Sequence, residues 1–292
     1  MSFSWNQLGY MTDNELEALC VPLQKCISVK TGVVDDSILS SLETLGFDQA
    51  PVYDSSGKTL LGLIGTSHLR DLQIANRPVD GADPEVADRA HWFHLGPFVT
   101  VLEILKVLSQ RRAVFVVRES WDTEYGYGVW DYGLLTISDL NRQPLRAGLY
   151  ALLSELESGM AVLIESIYSD PWEWIKVLSE NHQVRILGFW ELTKRRGVDV
   201  GPIAATTLTE LIQVTAKNKN VLMRLGYSKR AEFEDQTGVI PDLRNRVMHP
   251  VRPLVLSQAD VQGVLKAVTS VIDLHKRVKK LISRSPTPEE SA

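Results

Sequence analysis

The first half of this chain repeats one order of elements, and that recurrence limits its fold more than any other feature. Asp36 to Leu45 has apolar residues at Ile38, Leu42 and Leu45, which is helical spacing, with Gly46 as a stop. Ala50 to Tyr53 reads as a strand, Asp54-Ser55-Ser56-Gly57 as a turn, and Thr59 to Gly65 as a second strand; a helix begins around His68. After a connector from Asn76 to Ala90, which gathers Pro78, Gly81, Asp83 and Pro84, the order returns about eighty residues on. Val99 to Leu108 is helical, Ala113 to Val117 a buried strand, Trp121 to Gly128 a long turn, and Tyr132 to Ser138 a strand, after which Asp139 opens the next segment. Thr12-x-x-Glu15 has the capping-box pattern of a helix start ahead of the first copy.

Beyond Asn141 the strand signals stop. Leu145 to Ile167 is apolar at helical spacing over several turns, and Pro171 starts another helix through Trp172, Trp174, Ile175 and Leu178. A helix from Val184 ends in Lys194-Arg195-Arg196-Gly197. Thr206 to Ala216 and Asn220 to Leu225 follow, and Ser257-x-x-Asp260 opens a long closing helix to Ile282. The fold class expected is therefore α+β over residues 1–142, with repeats at about 12–75 and 91–142, then an all-α bundle over 143–283. A Ser/Pro/Glu-rich tail, 284–292, reads as disordered.

Charge divides along the same line. Residues 1–183 hold 13 Lys/Arg against 25 Asp/Glu, while residues 184–284 hold 18 against 9. A basic back half suits a polyanion, and suits a solvated helix face equally well, above all at Lys276-Arg277-x-Lys279-Lys280. No apolar run is expected to approach the ~18 residues of a membrane span, and the N-terminus lacks the pattern of a signal peptide. Cys20 and Cys26 stand alone and read as reduced thiols, so a cytoplasmic protein without membrane contact is expected. His91 and His94 are three apart, with no carboxylate or cysteine cluster to complete a metal site. His182 and His275 read as surface residues. Trp172, Trp174 and Trp190 read as core, with base stacking the alternative. No Walker loop or Gly-x-Ser-x-Gly elbow occurs.

The chemistry concentrates at Leu243-Arg244-Asn245-Arg246-Val247-Met248-His249-Pro250. Pro241 suits a first helical turn and Pro250 forces the preceding residue out of the helix, so His249 is expected at the helix end. The partial negative charge there favours imidazolium. Arg244 cannot lose its proton and can grip two phosphate oxygens. Such a pair suits attack of a ribose 2′-hydroxyl on the adjoining phosphate. It suits a C-terminal cap and a surface ion pair as well, since the two side chains differ by about 140° around a helix. Arg246 and Arg252 flank the pair, with Arg224, Lys229 and Arg230 upstream. In a shared cleft they would hold RNA through phosphates. Arg244 and Arg246 point about 160° apart, so only one can face the centre.

Two resemblances add to this. The repeat, with Gly133-Leu134-Leu135-Thr136-Ile137-Ser138-Asp139 in its second copy, resembles a tandem pair of CBS domains (a Bateman module). That resemblance implies an adenine nucleotide, AMP, ATP or a relative, held with Gly133, Thr136 and Asp139 at the ribose and phosphate. The residues alone also allow a Thr followed by an Asp N-cap, with no ligand. The first copy departs from the pattern, with Gly65 in place of the hydroxyl and His68 in place of the carboxylate. Arg244-Asn245-x-x-x-His249 in a helical half resembles the HEPN superfamily. This implies a homodimer with two motifs lining one cleft and an endoribonuclease needing neither metal nor cofactor for catalysis. Arg244, Asn245 and His249 would be its catalytic residues. Members of that superfamily that have lost activity imply the alternative, a scaffold that reports nucleotide to a partner.

Overall fold

A computed structural model describes residues 13–88, 92–94, 99–122 and 127–283. The chain forms two compact units. One runs up to Leu145 and takes back Val255–Val261; the other comprises Arg146–Leu254 and the chain from Gln262.

The first unit contains α1 (Asp13–Leu19), β1 (Val21–Pro22), β2 (Val29–Lys30), α2 (Asp36–Leu45), β3 (Gln49–Tyr53), β4 (Leu60–Gly65) and α3 (Thr66–Ile74). It continues with β5 (Trp92–His94), α4 (Val101–Leu108), β6 (Ala113–Asp122), β7 (Tyr127–Thr136) and a 3-10 turn at Ile137–Asn141. One sheet has the order β2-β3-β4 and the other β1-β7-β6-β5. In each, a short strand runs parallel to the first strand of an antiparallel hairpin. The register makes the repeat explicit. Gln49 pairs with Gly65 as Ala113 pairs with Thr136, and Val52 pairs with Gly62 as Val116 pairs with Gly133.

Local chemistry sets the helix ends. Asp35 accepts from the Ser37 N–H at 2.8 Å to start α2. Gly46 ends it in the left-handed region at φ 70°, with Phe47 N–H bonded back to Leu42 O. Thr100 and Glu103 form a complete capping box on α4. Alternation along the strands then separates two apolar faces. Ala50, Val52 and Ile64 pack with Leu39, Leu42, Leu69 and Leu72, while Leu63 meets Leu23, Phe115 and Leu134.

Two expectations for this half need correcting. The copies lie 64 residues apart at β3 and β6 (Gln49 to Ala113) and 71 apart at Gly62 and Gly133, not about eighty. Within the turn expected over Trp121–Gly128, Trp121, Asp122, Tyr127 and Gly128 are strand, because the β6–β7 ladder continues to Asp122↔Tyr127. The aromatic residues there favour the ladder. Residues 123–126, 89–91 and the tail 284–292 lie outside the described residues, as do the N-terminus and Thr12. His91 and the side chain of His94 also lie outside the described residues.

The second unit is helical: α5 (Gln143–Ile167), α6 (Pro171–Ile175), α7 (Glu180–Arg195), α8 (Leu208–Ala216), α9 (Lys219–Arg224), α10 (Arg230–Thr237), α11 (Ile240–Met248) and α12 (Gln258–Ile282). The sequence pattern hides α10, whose one large buried side chain is Phe233. In length and mean hydropathy α5 is long and apolar enough to cross a membrane, despite its interrupting charges. Here its apolar stripe, Leu145, Leu149, Leu152, Leu156, Met160 and Leu163, is core. His275 is not a surface residue. It lies buried on α12, and burial, with Lys279 nearby, lowers its pKa to about 4. His182 is half-buried, 3.6 Å from the buried Glu210 carboxylate, to which Arg185 also binds. Trp174 is core as expected, but Trp172 is 48% exposed because it faces away on the short α6.

Candidate functional site

Two places gather the residues singled out above, one in each unit. In the first unit a cavity of about 600 Å³ opens beside the β7–3-10 junction. Thr136, Ser138 and Asp139 line it from that junction, and Lys25, Arg112 and Arg142 bring positive charge. An apolar wall includes Ile27, Leu42, Phe47 and Leu134, and the chain leading into α12 contributes Leu256, Ser257 and Gln258. Arg112 also stands 3.9 Å from Asp48 at the rim.

Within this cavity Asp139 has a structural task of its own. It is buried, and its Oδ2 accepts from the Thr136 N–H at 2.8 Å and the Thr136 hydroxyl at 2.7 Å. Its Oδ1 meets Arg142 Nη2 at 2.9 Å. Arg142 also donates to the carbonyls of Ala18, Leu19 and Cys20, at 3.3, 3.2 and 3.4 Å. A carboxylate has about four acceptor positions. Three are taken, so one remains for a ligand rather than the two that a pair of ribose hydroxyls would use. Gly133 is explained by packing: a Cβ there would stand 2.8 Å from the Cys20 Cβ. Cys20 and Cys26 beside it are protonated thiols, pushed up to about 12 and about 11 by burial first and by Asp139 second.

The equivalent place in the first copy is built differently. Where Thr136 N–H is capped by Asp139, Gly65 N–H is capped by Glu85 Oε1 at 2.5 Å, from the connector. Where Asp139 would stand, His68 pairs with Asp83 at 3.0 Å, and that hydrogen bond raises the histidine pKa. A Cβ at Gly62 would lie 1.6 Å from Val86 O, so the connector backbone crosses there at contact.

In the second unit α11 carries the Arg-His motif, and His249 is its C-cap, as the prolines imply. Asn245 and His249 are exposed, and Asn245 O accepts the His249 N–H at 3.2 Å. Arg244 turns inward. It is half-buried, and its Nε is buried without a hydrogen-bond partner. On α5 the Glu157 carboxyl is pushed up by burial, against the opposing pull of the Arg244 charge and the Leu208 N–H. Arg246 faces elsewhere, pairing with Asp242 at 2.9 Å and donating to Leu254 O at 3.3 Å. Arg252 is exposed, and its carbonyl, like that of Arg246, accepts from the buried Arg146.

The upstream cations do not all assemble with the motif. Lys229 and Arg230 line a separate cavity of about 320 Å³ with Lys217, Lys219 and Tyr227, and Arg230 is paired with Glu234 at 2.7 Å. Arg224 is exposed at the end of α9. Sequence reading missed Glu157, Arg142, Arg112, Lys25 and Leu256–Gln258. Only Arg142, three residues after Asp139, had a local signal. Among the described residues no group of three or more His, Cys, Asp or Glu is placed to hold a metal ion.

No family model matches the chain, and no curated protein does. Among solved structures, a CBS domain protein from Shewanella oneidensis MR-1 overlaps 43% of this chain and 92% of its own length. The identity is 19% and the TM-score 0.30.

Proposed function

We propose that this protein is a nucleotide-regulated endoribonuclease: a tandem CBS-like module that binds an adenine nucleotide, followed by a HEPN-like helical domain. The observation that carries the second part is the helix end at His249. An exposed imidazole and the exposed Asn245 stand one turn apart, with Arg244 immediately before. His249 would take the proton of a ribose 2′-hydroxyl as its oxygen attacks the adjoining phosphorus. The bond to the 5′-oxygen breaks and that oxygen receives the proton back from the imidazolium, leaving a 2′,3′-cyclic phosphate and a 5′-hydroxyl. Arg244 would stabilise the added charge on phosphorus, and Asn245 would orient the ring or hold the phosphate. No metal enters this scheme. One motif supplies half of a basic cleft, so the active species is a homodimer acting on single-stranded RNA, with Arg246, Arg252, Arg224, Lys229 and Arg230 as candidate phosphate contacts.

The nucleotide reading rests on the cavity at Thr136 and Asp139. Its size is that of small-ligand sites, and its charge suits an anion through Lys25, Arg112 and Arg142, with an apolar wall for a base. The test is RNA cleavage by the full chain, with and without AMP or ATP. Loss of a preorganised charge stabiliser costs about 10²–10³ in rate. Arg244→Ala and His249→Ala should therefore abolish cleavage, and cleavage unchanged in both sinks the assignment.

One observation favours a second reading. Arg244 is half-buried, with its Nε buried and without a hydrogen-bond partner, as befits an inactive scaffold whose conformation reports nucleotide to a partner. On that reading the wild type cleaves no RNA with any nucleotide, yet still binds one.

A further inference from the structure

The strand register gives each wall of the nucleotide cavity a counterpart in the other copy. On one side the cavity is lined by Phe47 and Gln49, and the offset of 64 carries these to Arg111 and Ala113. On the other side it is lined by Thr136 and Asp139, and the offset of 71 carries these back to Gly65 and His68. The connector crosses between those two counterpart walls and contacts both. Asp88 accepts from Arg111 Nη1 at 2.6 Å. Glu85 Oε1 accepts the Gly65 N–H at 2.5 Å, Asp83 Oδ2 lies 3.0 Å from His68 Nε2, and Glu85 Oε2 lies 3.8 Å from His68 Nδ1.

The reason lies in two residues. The first N–H groups of a helix have no partner within it. In the second copy Thr136 and Asp139 meet that need from inside the motif. In the first copy Gly65 has no side chain to cap α3, and the first turn of α3 holds no acid. An acceptor must therefore come from elsewhere in the chain, and Glu85 supplies it. A carboxylate on an N–H at the positive end of a helix makes the contact that a phosphate would make there.

The connector is also anchored apart from these contacts. Val79 and Val86 are core residues on either side of Asp83. Gly32 and Val79 exchange both backbone bonds, at 2.9 and 2.7 Å, and Asp83 Oδ1 accepts the Glu85 N–H at 2.9 Å. Charge divides the two places as well. Asp83, Glu85 and Asp88 bring carboxylates to the first, where His68 and Arg111 answer them, while Lys25, Arg112 and Arg142 line the open cavity of the second. A nucleotide's phosphates are drawn to the second and find the first already neutralised.

We infer that the connector segment Asp83–Asp88 is a tethered occupant of the first copy's counterpart to the nucleotide site, so that each chain takes one nucleotide, at Thr136 and Asp139. The inference rests on the nucleotide reading above and adds its stoichiometry.

Calorimetric titration of the full chain with ATP or AMP should give one nucleotide per chain. Hydrogen exchange should show ligand protection at Thr136–Arg142 and none at Gly65–Leu69. Two nucleotides per chain, or any protection at Gly65–Leu69, overturns the inference and leaves nucleotide binding standing. Binding at neither place overturns nucleotide binding and the inference with it. A second arm needs no nucleotide. Glu85→Ala takes the acceptor from the Gly65 N–H and should speed exchange of that amide about ten-fold, as loss of a charge-assisted hydrogen bond does; an unchanged rate overturns the inference. The double variant Asp83→Ala, Glu85→Ala separates an occupant from simple packing. Inorganic phosphate should protect Gly65–Leu69 in that variant and leave the same amides unchanged in the wild type. A folded double variant that gains no phosphate protection overturns the inference; if it fails to fold, the wild-type count decides.

Discussion

Replacing Asp139 by alanine separates what this carboxylate does for the fold from what it does for a ligand. The side chain is buried and takes two hydrogen bonds from Thr136 and one from Arg142, all between 2.7 and 2.9 Å. Breaking a buried pair by removing one partner costs about 3–5 kcal/mol, and loss of a cap adds about 1. Arg142 is 41% exposed in its side chain and keeps three backbone carbonyls, so the ionic part belongs at the low end. We expect about 4 kcal/mol in all, read as a lower urea midpoint of the transition that involves the first unit, without nucleotide present. Thr136→Val, which removes only the hydroxyl bond, should cost about 1 kcal/mol. The Cys26 thiol offers an independent readout. Asp139 is the second cause of its raised pKa, so the alanine variant should react faster with a thiol reagent at a given pH. A loss below about 1 kcal/mol, with thiol reactivity unchanged, would refute the reasoning and return the whole carboxylate to ligand binding.

Gly62→Ala puts a Cβ 1.6 Å from a backbone oxygen. It should destabilise by about 3 kcal/mol in thermal unfolding, the upper end for overpacking; a neutral result would show that the connector does not cross there. His275 has a folded pKa of about 4, below its ordinary 6.5. The unfolded chain therefore binds the extra proton first, and stability falls as pH drops from about 6.5 to about 4. The full loss is about 3 kcal/mol, and His275→Gln should flatten that slope in urea titrations. His68 runs the other way. Its pKa is raised by Asp83, so its contribution is present at low pH and is lost as pH rises through the folded value; His68→Gln should abolish that part of the dependence. Glu210 is buried and held by Arg185 through both carboxylate oxygens. Glu210→Ala should cost about 3 kcal/mol, measured by chemical unfolding.

What the sequence determined by itself is whatever depends on neighbours a few residues away. Gly46 ends α2 because only a left-handed residue closes that turn. The Thr100/Glu103 box starts α4, and Pro250 places His249 at the end of α11. The hairpins, the closing helix and the change from strands to helices after Asn141 follow from the same local periodicities. A helix such as α10, with little apolar face, gives no such signal. The tertiary structure decided who meets whom. Asp139 is satisfied by Thr136 and Arg142, the Arg244 charge acts on Glu157 of a distant helix, His275 is interior, and Leu256 completes a cavity begun at Lys25. Those outcomes depend on which faces pack, and burial and charge compensation act across separations that periodicity does not record.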